Sequence, residues 1–435
     1  MKTRITGIGI VGLGKVGRGA LRLLRKERRR LLRMTGVDCR IVLIADIRPG
    51  AARGTGLAPS RFTRDWRRVV SHPDVDIVIE LIGGATVAFD VITSALKNGK
   101  HVVTANKALL ALKGDRIFPL ARAKGRVVAF EGAVCGGIPV IRAIKEGLIA
   151  NRIRSVFGIL NGTANYVLSR MRFSGMSFAE AVREAQKKGF AEPDPSLDIK
   201  GIDSAHKLSI LASLAFGSYF PFSKIHVEGI TGVSPLDIRY AADMGYVIKL
   251  LAVARMTRSG VPCLSVAPTL LPQTEIIAEV NDEYNGVFVH GSATSHTLYT
   301  GKGAGALPTG SAIVSDIIHI ASYGGAEPFR YAFYPRGLSG RAVPIGRSIS
   351  EFYIRLKVRD KPGVMAKISG ILGGERISIA TLVQKQNAPD GDAIVVITTH
   401  GTEHRRVDTA VKRLNRLPIV DGKAVRMPII NDLYH

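Results

Sequence analysis

The residues best suited to chemistry lie in the segment AQKKGFAEPDPSLDIKGIDSAHK, which runs from position 185 to position 207. Its carboxylates are those of Glu192, Asp194, Asp198 and Asp203, and it ends on Lys207 within an apolar helical stretch. Ionisable groups this dense beside apolar residues are costly to bury, so they usually build a polar site. Carboxylates gathered in this way suit a substrate that carries an amino group.

Asp203 and Lys207 are four residues apart in GIDSAHKLSILASLAFG, which places them on one face of a predicted helix. One interpretation is a surface ion pair worth a few tenths of a kcal/mol. However, Ile210 and Leu214 continue the same face and the other faces are apolar too. We therefore expect the pair to be at least half buried, where an ammonium needs a partner and its proton affinity can be tuned.

Lys107 is a second candidate, because it ends the predicted strand HVVTANK at 101–107. Open α/β sheets bind their ligands at the carboxyl ends of their strands. The alternative, an ordinary lysine at a strand end, stays open.

The chain starts with an apolar strand, RITGIGIV at 4–11, that runs into GLGKVG and a helical stretch. Two GxGxxG patterns overlap, one on Gly7, Gly9 and Gly12 and one on Gly12, Gly14 and Gly17. We prefer the second, because it follows the strand and opens the helix, whose N-terminus would meet the pyrophosphate of a dinucleotide. The alternative is a glycine turn that binds nothing.

Asp46 ends the second predicted strand, where an acidic residue binds the ribose of a dinucleotide. Its carboxylate would bond the ribose hydroxyls and repel a 2′-phosphate, which favours NAD. Arg48, two residues further on, would instead pair with that phosphate, which favours NADP. The sequence leaves the choice open.

These groups need a scaffold, and the alternation of strands and helices predicts one. Strands rich in Val and Ile, ending at positions 46, 81, 107 and 134, indicate a parallel sheet covered on both faces. We predict an α/β protein whose doubly wound, Rossmann-type dinucleotide-binding domain spans 1–136. A helix at about 305–330, introduced by GKGAGALPTG, is expected to return and cover this domain.

The rest of the sequence predicts two more domains. Residues 137–304 mix strands and helices, as expected of an α+β substrate-binding and dimerisation domain. Residues 331–350 are rich in Pro, Gly, Ser and Arg and have no clear period, which predicts a linker. The order βαββαβ over 351–435 is typical of a ferredoxin-like sandwich, expected to be a separate domain. Its first helix is predicted to be capped by Asp360, with Pro362 in the first turn.

Composition narrows the class of protein. The 435 residues are 46% hydrophobic and 22% charged, and no apolar run reaches the length of about eighteen residues that a membrane span needs. Three widely spaced cysteines without a CxxC pair fit the reducing cytoplasm, and the histidines lack metal-ligand spacing. The net charge of +26 is compatible with nucleic-acid binding, but its densest cluster, RKERRRLLR, favours a solvated helix face.

Together these motifs resemble homoserine dehydrogenases. The family signature is matched at Ala185, Gly189, Phe190, Asp194, Pro195, Asp198, Gly201, Asp203 and Lys207. Further matches are GLGKVG, ELIGGAT, VVTANKALL, FEGAVCGGIPVI, LNGTANYVLSRM and GKGAGALPTG. The opening DKPGVMAKIS of the last domain resembles an ACT module, a regulatory fold that binds small molecules. No aspartokinase portion precedes these motifs, so the chain resembles the monofunctional form.

The resemblance implies reversible reduction of L-aspartate 4-semialdehyde to L-homoserine by NAD(P)H, in threonine, methionine and isoleucine biosynthesis. It implies that Lys207 donates a proton to the developing alkoxide, that Asp198 supports Lys207, and that Lys107 lies between nicotinamide and substrate. The substrate's amino and hydroxyl ends would be held by Gly189, Glu192 and Asp203. The implied cofactor contacts are Gly12, Leu13, Gly14, Lys15, Val16, Gly17, Thr86, Ala105 and Gly303.

The resemblance further implies a site for Na⁺ or K⁺, formed mainly by the backbone carbonyls of Glu131, Val134, Gly136 and Ile138. We expect a cytoplasmic homodimer or homotetramer with threonine as an effector at the ACT domain, and neither nucleic acid nor membrane as a partner. Two alternatives are another amino-acid dehydrogenase on this scaffold, and an amino-acid-sensing or nucleic-acid-binding regulator that kept it.

Overall fold

The computed structural model describes residues 3–48, 50–323, 340–385 and 392–433. The strands are β1 (Arg4–Val11), β2 (Val37–Ala45), β3 (Phe62–Thr63), β4 (Ile77–Glu80), β5 (His101–Thr104), β6 (Val128–Ala129), β7 (Ile153–Ile159), β8 (His226–Val227), β9 (Tyr246–Met256), β10 (Pro262–Pro272), β11 (Tyr284–Gly291), β12 (Ser295–Lys302), β13 (Ile349–Arg359), β14 (Ile379–Lys385), β15 (Asp392–Thr399), β16 (Thr402–Glu403) and β17 (Val420–Ile429). The α-helices are α1 (Lys15–Thr35), α2 (Trp66–Ser71), α3 (Val87–Lys97), α4 (Lys107–Ala123), α5 (Val140–Arg142), α6 (Gly162–Ser174), α7 (Phe178–Lys187), α8 (Ser196–Ile199), α9 (Ile202–Phe216), α10 (Pro235–Asp243), α11 (Ala306–Tyr323), α12 (Val364–Gly374) and α13 (His404–Leu414).

The chain divides into two compact units, and each is built from separate stretches of sequence. The first unit consists of Met1–Val156, His206–Ser223 and Asn285–Gly340. The second consists of Phe157–Ala205, Lys224–Tyr284 and Arg341–His435.

The first unit contains a parallel six-stranded sheet in the order β3-β2-β1-β4-β5-β6. This is the strand order of the Rossmann fold, as predicted. Its core joins Ile8 and Ile79 of the sheet to Leu21 of α1 and Ile317 of α11.

Helices α1 and α11 lie in very close contact. A Cβ added to Gly19 would lie 2.1 Å from the carbonyl oxygen of Ala306, so only glycine allows this approach. Residues 324–330 of the predicted returning helix lie outside the described residues.

The second unit contains the neighbouring strands β9-β10-β17-β13-β15-β14. Strands β13, β14, β15 and β17 with helices α12 and α13 follow the predicted βαββαβ order, and their sheet order is that of a ferredoxin-like fold. Leu270 of β10 pairs in parallel with Ile429 of β17, so this sandwich shares a sheet with a strand of the preceding sequence. The sequence APDGD at 388–392 predicts a turn after β14, and this turn lies outside the described residues up to position 391.

Lys107 does not end a strand. Strand β5 stops at Thr104, and Lys107 is the first residue of α4. The cause is Asn106, whose side-chain oxygen accepts a hydrogen bond from the main-chain N–H of Leu109 and caps the helix. The predicted strand at 126–134 is also too long, because Glu131–Ala133 form a short 3₁₀ helix after β6.

The predicted cap of the first ACT-like helix is wrong as well. Gly363, with φ of +84°, precedes α12, and no side chain caps this end. Asp360 instead accepts a hydrogen bond from the side chain of Gln384 across the sheet, and Pro362 lies before the helix.

Other boundaries also differ from the expectations. The sequence predicts a helix at 138–149, but the structure has one α-helical turn followed by a π-helical turn at Ala143–Gly147. Strand patterns at VPCLSVAPTLL and NGVFVHG correspond to β10 and β11, whereas β9 and β12 are not predicted. The predicted linker lies outside the described residues up to position 339, and its last two residues already belong to β13. None of the helices in the described ranges combines the length and the apolar character that crossing a membrane requires.

Candidate active site

The second glycine pattern forms an open cradle at the start of α1. Gly12 has φ of +97°, and a Cβ there would lie 2.7 Å from the carbonyl oxygen of Leu81. Gly17 packs against the backbone of Gly12. Gly14 is the N-cap of this helix, no side chain caps it, and the space beside it is empty. Uncapped N–H groups of a long helix next to open space suit a pyrophosphate, so this loop fits a dinucleotide.

The remaining predicted contacts of this loop differ in exposure. Leu13 is buried in the core, Val16 is half-buried and Lys15 is exposed. Leu13 donates its main-chain N–H to Asp46 Oδ2 at 2.7 Å, which fixes the loop to the end of β2.

Arg48 engages both carboxylate oxygens of Asp46. Its Nη2 donates to Oδ2 at 2.6 Å, and its Nε and main-chain N–H each donate to Oδ1 at 2.9 Å. The side-chain hydrogen bonds from Arg48 hold the pKa of Asp46 at about 2. The Asp46 carboxylate is therefore already compensated, while the Arg48 side chain is 57% exposed.

Polar residues that the sequence reasoning missed lie at the ends of β4 and β5. Glu80 is completely buried and accepts hydrogen bonds from Thr104 Oγ1 at 2.7 Å and from the main-chain N–H of Ile82 at 2.9 Å. Burial raises the pKa of the Glu80 carboxyl group. The signal in the sequence was a lone glutamate at the end of an apolar strand.

Asn106 joins the same two loops. Its side-chain amide donates to the carbonyl oxygen of Gly84 at 2.7 Å, while its oxygen caps α4. This arrangement fixes three predicted site residues in the first unit: Thr86, exposed at the N-cap of α3, and Ala105 and Lys107, both half-buried.

In the second unit the structure brings two carboxylates of the predicted cluster together. The side-chain amide nitrogen of Asn161 lies 2.6 Å from Asp198 Oδ1 and 2.8 Å from Asp203 Oδ2. Asp203 is 8% exposed, and Lys207, one turn later on α9 where the chain has passed into the first unit, is 7% exposed. Both are therefore buried, in contrast to an ordinary surface ion pair.

The other two carboxylates of the cluster are exposed. Asp194 accepts a hydrogen bond from the main-chain N–H of Ser196 at 3.0 Å, and the hydrogen bonds from Ser196 lower its pKa. It therefore stabilises a local turn. Glu192 and Gly189 lie in the exposed segment after α7, and Gly189 has φ of +77°.

The predicted cation loop forms a tight turn at Cys135 and Gly136, with φ of +51° and +34°. Its Gly137 donates to the carbonyl oxygen of Lys302 at 3.0 Å, beside Gly303. Val134, Gly136 and Ile138 are buried. Within the described ranges no three His, Cys, Asp or Glu residues cluster as metal ligands.

Glu131 does not direct its carboxylate at this loop. Its two carboxylate oxygens accept hydrogen bonds from the main-chain N–H groups of Ile141 at 2.9 Å and Arg142 at 3.0 Å. Burial, next to the carboxylate of Asp316, raises the pKa of Glu131. The Glu131 carboxylate is therefore engaged by main-chain donors outside the predicted cation loop.

Comparison with known proteins shows which family this chain resembles. The family model described as homoserine dehydrogenase matches residues 139–318, its NAD binding domain matches 12–131, and the ACT domain matches 352–419. The homoserine dehydrogenase of Pseudomonas aeruginosa is 44% identical over 428 residues, which cover 97% of this chain and 98% of that protein. That of Neisseria gonorrhoeae is 42% identical over 433 residues, 98% of this chain and 99% of the relative.

The solved structures give the same result. A homoserine dehydrogenase from Thiobacillus denitrificans superposes with a TM-score of 0.92 at 41% identity, covering 99% of both chains. The predicted resemblance, fold class and oxidoreductase activity are confirmed, and the cofactor is a nicotinamide dinucleotide. The chain belongs to the homoserine dehydrogenase family, with a dinucleotide-binding domain, a catalytic domain and a C-terminal ACT domain.

Proposed function

We propose that Lys207 is the proton donor in the reduction of L-aspartate 4-semialdehyde, with Asp198 and Asp203 setting its position and charge. The bound dinucleotide supplies a hydride to the aldehyde carbon. The oxygen that becomes an alkoxide then needs a proton from a positioned acid. Support comes from the burial of Lys207 one turn after Asp203, whose carboxylate shares the amide of Asn161 with Asp198.

The same carboxylates suit recognition of the substrate's α-ammonium. We assign this role to Asp203 and Glu192, together with the main chain at Gly189. Lys107 is assigned to the nicotinamide side of the substrate. Its support is its place at the carboxyl ends of parallel strands, where the cap by Asn106 fixes the start of α4.

A lysine substitution tests the proton donor. Lys207→Ala is expected to fold and to reduce the semialdehyde at least roughly 100-fold more slowly, because a positioned general acid contributes about that much. Loss of NADPH absorbance measures turnover, and far-UV circular dichroism checks folding. Lys200→Ala, an exposed lysine of the same segment, is the matched control. Wild-type turnover in Lys207→Ala would reject the role.

We further propose that the enzyme prefers NADPH to NADH. The carboxylate that would bond the ribose hydroxyls of NAD already accepts three hydrogen bonds from Arg48. The guanidinium of Arg48 is exposed and matches the geometry of a 2′-phosphate. Both observations favour a phosphorylated ribose.

Cofactor preference is tested by Arg48→Ala. Its kcat/KM for NADPH should fall by roughly tenfold or more, while that for NADH stays within about twofold, since a bond to a phosphate is charge-assisted. Arg29→Ala, an exposed arginine on α1, controls for the loss of general positive charge. Equal losses with both cofactors would contradict the assignment.

Three further features remain proposals: a monovalent cation on the carbonyls of Glu131, Val134, Gly136 and Ile138, threonine as effector of the ACT domain, and assembly as a homodimer or homotetramer. The bent, buried main chain of this loop supports the cation site. Activity in K⁺, Na⁺ and choline salts tests the cation, and unchanged rates would reject it. Threonine titrations of activity with sedimentation analysis test the other two. We infer a cytoplasmic location from the three cysteines, all in described segments, which no disulfide joins.

A further inference from the structure

We propose that Asn161 is a positioning residue for this reaction: its side-chain amide holds the carboxylates of Asp198 and Asp203 side by side, so that the pair presents its charge to the ammonium group of the substrate. The proposal rests on the catalytic roles proposed above. It adds a residue that touches neither hydride nor aldehyde but acts through the two carboxylates.

The orientation of the Asn161 amide follows from its partners. Its oxygen accepts the main-chain N–H of Ala164 at 2.7 Å, as the N-cap of α6. A backbone donor requires an acceptor, so the amide nitrogen must point the other way. There its two protons meet one oxygen of Asp198 at 2.6 Å and one of Asp203 at 2.8 Å.

A neutral double donor suits this place better than a cation. Two carboxylates that approach one point repel each other, and the proton affinity of one of them rises. An amide stabilises the ionised form of both, because both of its protons bond charged acceptors. A lysine or arginine would also hold them, but it would cancel the charge that an ammonium group needs.

The same helical turn reaches the segment assigned to the substrate. The hydroxyl of Thr163 donates to the carbonyl oxygen of Phe190 at 2.7 Å, between Gly189 and Glu192. A Cβ on Gly162 would lie 2.6 Å from the carbonyl oxygen of Glu283, so the turn is tightly packed. One rigid turn therefore bonds both the carboxylate pair and the main chain of the substrate segment.

Two substitutions separate the amide's role from its role as a cap. Asn161→Ser and Asn161→Asp both keep a good N-cap residue, but neither can donate to two carboxylates. We expect kcat/KM for the semialdehyde to fall by about 10–100-fold in Asn161→Ser, because two charge-assisted hydrogen bonds are lost. The acidic limb of its pH profile should move up by about one pH unit, and further in Asn161→Asp, where a third carboxylate joins the pair.

The outcomes are distinct. Wild-type pH profiles in both folded variants would overturn the proposal, and so would a loss of activity that leaves the acidic limb in place, because that is the signature of a purely structural residue. Lys207→Ala, measured in parallel, tests the proposed proton donor separately from the positioning role of Asn161. If it is inactive while both Asn161 variants behave as wild type, only the role of Asn161 fails; if it retains turnover, the proposed proton donor fails.

Discussion

Replacing Asp237 by alanine should lower the free energy of unfolding by about 3–5 kcal/mol. Asp237 is completely buried in the first turn of α10. Its carboxylate accepts two hydrogen bonds from Arg355, at 2.6 and 3.1 Å, and one from the hydroxyl of Tyr353 at 2.9 Å. The main-chain N–H and the hydroxyl of Ser234 add two more, at 2.9 and 2.7 Å.

The magnitude comes from the partner that is left behind. The Arg355 side chain is only 13% exposed, so in Asp237→Ala it keeps its charge in a site that water hardly reaches. Removing one partner of a buried pair therefore costs far more than the pair itself contributes. The double variant Asp237→Leu with Arg355→Met removes both charges and should be more stable than Asp237→Ala alone.

Urea and thermal unfolding followed by circular dichroism measure the free energy of unfolding of both variants and of a control. Glu27→Ala is the control, because its ion pair with Arg30 is partly exposed and should cost less than about 1 kcal/mol. The reasoning is refuted if Asp237→Ala lies within about 1 kcal/mol of wild type, or if the double variant is less stable than the single one.

Three further predictions concern the cofactor loop and two buried ionisable groups. Gly12→Ala should abolish NADPH binding measured by nucleotide fluorescence, because φ is +97° and the added Cβ would lie 2.7 Å from a main-chain oxygen; full affinity would contradict the loop's assignment. Burial raises the pKa of Glu228, but hydrogen bonds from His226 and Arg426 outweigh it and hold the pKa at about 2, below the usual 4.5. This stabilisation is complete above pH 4.5 and is lost as the pH falls toward 2. In Glu228→Gln the free energy of unfolding should therefore fall less steeply between pH 4.5 and 2 than in the wild type. An unchanged pH dependence in this range would count against the ion pair. Burial lowers the pKa of Lys249 to about 7 from 10.5. Between pH 7 and pH 10.5 the unfolded chain therefore binds more protons than the folded one, so the free energy of unfolding should rise with pH. A rise of equal size in Lys249→Met would exclude Lys249 as the source of this pH dependence.

The sheet of the first unit was predictable because sequence patterns within single strands and helices determine it. Runs of Val and Ile alternate with helical stretches, and a glycine turn between strand and helix has few other uses. The ferredoxin-like order was predictable for the same reason, since each of its elements has its own period and turn.

The site was less predictable where contacts span long stretches of sequence. Asn161 looked only like the start of a helix, because its partners lie 37 and 42 residues further along the chain. Glu80 and Thr104 are 24 residues apart and meet only because their strands are neighbours in the sheet. Spacing within one element cannot show such contacts.

Two errors arose from competing cap residues. The sequence prediction places Asn106 inside a strand that ends at Lys107, although asparagine before KALLAL is a good helix start. The sequence prediction makes Asp360 the cap, whereas the chain turns through Gly363, whose φ of +84° other residues adopt only with strain.

The contact between α1 and α11 has a consequence for synthesis on the ribosome. Strands β1 to β6 leave the exit tunnel long before α11, which begins at Ala306. At typical translation rates the delay is roughly ten seconds or more. During this delay α11 does not yet cover its part of the apolar face of the nascent sheet. We therefore expect the enzyme to depend on chaperones while it is being synthesised, and to lose stability when it is truncated from the C-terminus.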